Sequence, residues 1–222
     1  AGQAWTGAGL DNVDRRANLS AAAFIAEYEQ PNRPVVITDV VPQWPAFRRW
    51  TREYLLQAVR DAAAASGAAA APVRFEIGPV HMRLEDYFAY SDATTDESPL
   101  YLFDPRFAEK CPALAADYTV PEYFAEDLFG LLGERARPDY RWLIIGPARS
   151  GSVFHIDPNG TSAWNAVITG AKKWIMFPPG VVPPGVHPSE DGGEVTSPVS
   201  LGEWFLSFYR DARRMDPPPI EF

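Results

Sequence analysis

Phe24, Ile25 and Tyr28 recur at helical spacing behind Ser20, a residue type that caps helices, so this stretch predicts a capped amphipathic helix. Pro34 to Val40 is an apolar run that predicts a buried strand, and Trp44-Pro45 then breaks the chain. Helical spacing returns from Thr51 to Val59, with Tyr54, Leu55 and Ala58 on one stripe. The Ala-rich tract from Asp61 to Ala71 predicts a helix tail running into a loop, because Gly67 interrupts it, and no function is assigned to it. Further on, the pattern predicts strands at Val73–Ile77, Leu100–Phe103 and Tyr140–Ile145, and helices at Leu84–Tyr90 and Pro121–Leu132.

Strict alternation governs the later part of the chain. His155, Ile156 and Asp157 predict a strand end, because Asp157-Pro158-Asn159-Gly160 is a strong turn signal. From Ala163 to Thr169, Trp164, Ala166 and Ile168 take one face, and Asn165, Val167 and Thr169 the other. Lys173 to Phe177 is a second short apolar strand, and together the two predict a strand pair. Leu201 to Arg210 predicts a helix whose Leu201, Trp204, Phe205 and Phe208 face a core. With no internal repeat and no linker, one domain over residues 1–222 is expected.

Composition narrows the class. Of 222 residues 46% are hydrophobic, enough for a sizeable core. A net charge of -9 opposes phosphate, so no direct nucleic-acid binding is expected, and it favours a basic protein or peptide partner. The pairs Arg48-Arg49 and Arg213-Arg214 are local and fit solvated faces. Cys111 is the single cysteine, which rules out an internal disulfide framework and fits a reducing compartment. No apolar run is long enough to span a bilayer and no secretory leader is visible, so a nuclear or cytoplasmic protein is expected; oligomeric state is open.

In a strand His155 and Asp157 would share one face, where an imidazole and a carboxylate can grip a divalent metal. The pair alone fits a surface histidine beside a turn-forming Asp-Pro better than a metal site, and only the surroundings change that. Completed by a second imidazole, it would form the facial arrangement that leaves positions open on non-haem Fe(II).

The surrounding motifs carry a resemblance. Gly146-Pro147-Ala148-Arg149-Ser150-Gly151, the His155-Ile156-Asp157 core, Gly160 to Asn165 and Gly170-Ala171-Lys172-Lys173-Trp174 resemble the JmjC-domain 2-oxoglutarate oxygenases. The likeness is nearest to the phosphatidylserine-receptor branch, known as lysyl hydroxylases with a disputed arginine-demethylase role. Tyr101 to Asp104, Val120-Pro121, Asp127 to Phe129, Tyr140 to Trp142 and Gly193 to Pro198 also match that branch, so the resemblance covers about residues 33 to 222. It implies a mainly β fold with flanking helices: a partial double-stranded β-helix of cupin-like JmjC type lacking its last strands. The N-terminal helix-and-strand part would run to about residue 139 and the barrel part from about 140 to 222. A chain so open would expose an apolar edge and be less stable than a longer one.

The resemblance also implies roles. His155 and Asp157 would be metal ligands for Fe(II), Lys172 would bind the distal carboxylate of 2-oxoglutarate, Tyr101 and Ser152 would hydrogen-bond it, and Asn165 would line the pocket. Fe(II), 2-oxoglutarate and dioxygen are thus the expected cofactor and co-substrates, and Lys or Arg side chains of basic proteins the expected targets. The family's distal histidine ligand has no match here: His187 lies in a proline-rich loop and His81 far upstream, so this stretch by itself is expected to be inactive. Two other readings stay open: a non-catalytic JmjC-like peptide-binding module, and a non-oxygenase metal cupin acting on a small molecule.

Overall fold

The computed structural model describes residues 11–67, 71–189, 195–196 and 200–222. It divides into two compact units: the first is Arg15–Thr94 with Leu100–Pro147, and the second is the stretch up to Asp14 with Thr95–Pro99 and Ala148–Phe222.

In the first unit, β1 (Asp14–Arg16) pairs with β2 (Val35–Ile37), which is shorter and less buried than the apolar run suggests. Ser20 caps α1 (Ala21–Phe24) by accepting from Ala23 N at 3.2 Å. A π-helical stretch, Ile25–Glu29, follows directly. That wider turn keeps Phe24 and Tyr28 buried but rotates Ile25 outward, 41% exposed, so the predicted stripe loses one member. Pro45 opens α2 (Pro45–Arg49), with Trp44 as its buried cap residue. Thr51 caps α3 (Arg52–Ala65), which buries Leu55 and Ala58 as its stripe predicts; part of the Ala-rich tract after it lies outside the described residues.

The core of this unit lies under a four-stranded antiparallel sheet in the order β4-β3-β5-β6, made of β3 (Phe75–Ile77), β4 (Val80–Met82), β5 (Leu102–Asp104) and β6 (Leu143–Ile145). Leu102 and Leu143 are buried, while the opposed Phe103 and Ile144 face out, so the strands alternate as the pleat requires. Helix α4 (Leu84–Ala93) covers the sheet through Leu84, Tyr87 and Phe88, and the Tyr87 hydroxyl donates to Ile145 O at 2.7 Å. Asp104 is fully buried and satisfied: it accepts from Glu76 N and Arg106 N and pairs with Lys110. Helices α5 (Phe107–Lys110) and α6 (Pro112–Ala115) close this core around the buried Cys111.

The helix expected at Pro121–Leu132 is instead two 3-10 turns, Glu122–Phe124 and Leu128–Leu132. Asp127 interrupts the run by turning its side chain onto Gly130 N, and Gly133 ends it with a positive φ.

In the second unit, β7 (Ile175–Met176) pairs antiparallel with β10 (Ile220–Glu221), and β8 (His187–Pro188) with β9 (Val195–Thr196). Helices α7 (Leu201–Ser207) and α8 (Tyr209–Ala212) replace the single predicted helix, breaking at Phe208. Trp204 is buried, and its indole donates to Pro184 O at 2.8 Å; Leu206 is 88% exposed, consistent with one core-facing stripe. Gly185 lets this packing close: its φ is +74°, and a Cβ there would lie 2.6 Å from the Phe208 ring.

Two expected strands do not form as ladders. Residues 163–169 alternate between half-buried and exposed as predicted, yet no ladder pairs them among the described residues. The strand expected over Lys173–Phe177 contracts to Ile175–Met176.

Candidate metal centre

His155 and Asp157 are not on a ladder strand, a correction to the sequence expectation. The cause is local: Asp157 has extended φ/ψ of -62° and 144°, and Pro158 starts a 3-10 turn, Pro158–Gly160, with Asn159 at φ 61°. Proline ends any ladder by lacking a donor, and asparagine tolerates the left-handed region. The predicted turn is present; the strand before it is not.

The two side chains converge all the same. His155 Nε2 lies 3.3 Å from Asp157 Oδ1, with side chains 50% and 39% exposed. Phe154, immediately before, anchors the segment inward: its ring meets Trp204 edge-on at 4.7 Å and Phe177 at 5.8 Å. With Phe154 committed to that core, His155 is left facing solvent.

The imidazole's other nitrogen sets its chemistry. Nδ1 is 2.7 Å from Val153 O, and a carbonyl only accepts, so Nδ1 carries the proton and donates. In the neutral ring Nε2 is then a lone-pair acceptor aimed at a carboxylate oxygen. Where Nε2 carries no proton, a shared cation can bridge the two acceptors. Two ligand atoms in adjacent positions on an octahedral ion, each ~2.1 Å from it, stand ~3.0 Å apart. The observed separation fits that requirement, and a backbone carbonyl orienting the distal nitrogen is the usual outer support of a metal-binding histidine. Among the described residues no group of three His, Cys, Asp or Glu side chains could hold a metal, so the candidate centre offers two side-chain ligands at most. His187, exposed on β8, is not part of such a group.

Lys172 joins this site through charge. Its ammonium lies 4.2 Å from the centre of the Trp174 ring, within cation–π range. Although much of the residue is exposed, crowding around the ammonium lowers its pKa by loss of hydration, and the negative charge of Asp157 offsets part of that.

The remaining sequence candidates are placed as follows. Ser152 and Asn165 are exposed residues of the same unit as His155. Tyr101 is half-buried just before β5 in the other unit, its ring edge-on to Phe103 at 6.1 Å. Sequence reasoning missed the Val153 carbonyl, which no side-chain pattern reveals, and the buried Glu221, described below. Trp174 was legible as a motif member, and its spacing from Lys172 is that of residues sharing a strand face.

The chain is a member of the cupin-like domain family, which matches residues 20–222. It is 57% identical over 211 residues to an arginine-specific demethylase of Arabidopsis thaliana, covering 95% of this chain and 40% of that protein. It is 37% identical over 208 residues to a bifunctional arginine demethylase and lysyl-hydroxylase of Caenorhabditis elegans, covering 88% and 48%. A 2-oxoglutarate and iron-dependent oxygenase of Homo sapiens is 29% identical over 183 residues, covering 76% and 44%. These similarities bear out the resemblance to the JmjC oxygenases. The chain spans less than half the length of each of these three relatives. No helix among the described residues is long and apolar enough to cross a membrane.

Proposed function

We propose that this chain is the metal-binding part of an Fe(II)- and 2-oxoglutarate-dependent oxygenase that modifies Lys or Arg side chains of basic proteins. The observation that carries the reading is the 3.3 Å approach of His155 Nε2 to Asp157 Oδ1 with Nδ1 already committed to Val153 O. Iron held there would supply oxidative decarboxylation of 2-oxoglutarate to succinate with insertion of one oxygen atom of O2 into a substrate C–H bond.

His155 and Asp157 would each give one ligand atom, and the Val153 carbonyl would keep the imidazole in the tautomer that ligates. Lys172 would neutralise the distal carboxylate of the co-substrate, with the Trp174 face holding its ammonium in place beforehand. Ser152 would hydrogen-bond the same carboxylate and Asn165 would line the pocket around it. The acidic chain favours a cationic protein substrate. Hydroxylation of a lysyl carbon and of an N-methyl carbon on arginine follow from one chemistry, the second releasing the methyl group. The demethylase and hydroxylase names of the relatives support both targets.

The test is anaerobic addition of Fe(II) and 2-oxoglutarate while following the visible charge-transfer absorption of a chelated complex. Its appearance with the wild type and absence with Asp157→Ala supports the reading. The two-point donor set favours a second reading, a non-catalytic peptide-binding module. That reading gains if no band forms and a basic peptide binds equally with and without metal.

A further inference from the structure

Lys172 and Lys173 are adjacent, and nothing in their chemistry says which should serve an anionic ligand. The structure treats them oppositely. Trp174 N donates to Phe222 O at 2.9 Å and Phe222 N to Trp174 O at 3.3 Å, so these two residues face each other just beyond the Glu221↔Ile175 pair of β7 and β10. Residues directly opposite on an antiparallel pair share a face, and successive residues alternate. One face therefore carries Lys172, Trp174 and Phe222, and the two rings stack with planes 20° apart. The other face carries Lys173, Ile175 and Glu221.

Glu221 is the anchor of that second face. It is 4% exposed, and its carboxylate meets Lys173 Nζ at 3.1 Å, Arg213 Nε at 3.5 Å and the Tyr209 hydroxyl at 2.7 Å. Its backbone is fastened as well: Glu221 N donates to Asn12 Oδ1 at 2.6 Å, and Asn12 N to Glu221 O at 3.0 Å. Even with the Trp174–Phe222 bonds the ladder is short, too short to specify register by backbone bonds alone. A slip of one residue would exchange the faces of the two lysines, and it would also pull Lys173 from a buried carboxylate that accepts its charge.

We propose that Glu221 is a positioning residue: by holding Lys173 it fixes the register of β7 against β10 and so commits Lys172, together with Trp174, to the side of the ladder that carries Phe222. The role assigned to Lys172 rests on the oxygenase reading above; the register lock does not. Glu221 touches no ligand in this scheme and acts through the two lysines.

The chain has three lysines, Lys110, Lys172 and Lys173, which makes selective labelling a clean test. Brief acetylation with acetic anhydride at fixed pH, read by peptide mass spectrometry, should modify Lys172 several-fold faster than Lys173, with Lys110, paired to the buried Asp104, as internal control. In Glu221→Gln the two rates should converge to within about twofold while Lys110 is unchanged, with Lys172 slowing as well as Lys173 speeding up; a change confined to Lys173 is the loss of an ion pair and overturns the lock. If Glu221→Gln does not fold, Tyr209→Phe, which removes one hydrogen bond to the carboxylate and no charge, should move the ratio the same way by less. A Lys172-to-Lys173 ratio indifferent to the folded variant overturns the proposal. Added 2-oxoglutarate and Fe(II) separate the two ideas: protection of Lys172 with an indifferent ratio leaves the oxygenase reading standing and removes the lock. Convergence without any protection keeps the lock and removes the oxygenase reading.

Discussion

His155 Nε2 lies 3.3 Å from Asp157 Oδ1 while Nδ1 meets Val153 O at 2.7 Å, an arrangement that a divalent ion can bridge. Metal binding to the folded chain alone shifts the unfolding equilibrium by mass action. Mn(II) or Fe(II) at 100 times its dissociation constant should stabilise the wild type by about 2.7 kcal/mol. His155→Ala and Asp157→Ala should each lose that increment in a urea titration while keeping their metal-free midpoint, since both side chains are substantially exposed.

Lys172→Ala should weaken 2-oxoglutarate binding by about 10- to 150-fold, the equivalent of one charge-assisted hydrogen bond of about 1.5–3 kcal/mol. Lys172→Met, which keeps the packing on Trp174 but not the charge, should be nearly as weak. Calorimetric titration in the presence of Mn(II) measures both. Equal affinity in wild type and Lys172→Met would remove the lysine from the site.

Tyr87 is fully buried, and burial pushes its phenol up to about 12 from an ordinary value near 10. The folded state thus holds its proton where the unfolded chain releases it. Its stabilising contribution is complete below about pH 10 and is lost as pH rises from there through about 12. Tyr87→Phe should flatten that alkaline slope in urea midpoints. It should also cost about 1–3 kcal/mol at neutral pH, because Ile145 O loses its donor.

Gly185→Ala combines a left-handed φ of +74° with a Cβ 2.6 Å from Phe208. The cost should be about 2 kcal/mol or more, seen as a lower thermal midpoint. Adding Phe208→Ala relieves the clash but not the φ. The two substitutions together should therefore cost less than the sum of the two measured singly, a coupling that a double-mutant cycle reads out.

Local chemistry was legible in the sequence wherever neighbours along the chain decide the outcome. Ser20 and Thr51 cap their helices as their types predict, and Pro158-Asn159-Gly160 makes its turn. The Trp204 stripe faces inward, and residues 164–169 alternate in exposure. The family too was carried by ordered motifs. These are consequences of φ/ψ preference, donor and acceptor placement and periodicity, all properties of short windows.

What the windows could not supply is partnership. Alternation from Ala163 to Thr169 predicts a strand, but a ladder exists only where a second backbone offers its donors and acceptors, and there the described residues pair none. The helix expected over Pro121–Leu132 gave way to side-chain bonds at Asp127, a competition that propensity does not weigh. His155 and Asp157 were chosen for sharing a strand face and meet without one, brought together by the Phe154 anchor and the Val153 carbonyl. Sequence alone determined which residue types could hold a metal and an acid; tertiary structure decided which of two adjacent lysines is held by an ion pair and which packs on Trp174. That choice depends on a buried carboxylate 48 residues away in the chain, and contacts at such separation exist only once the chain has folded.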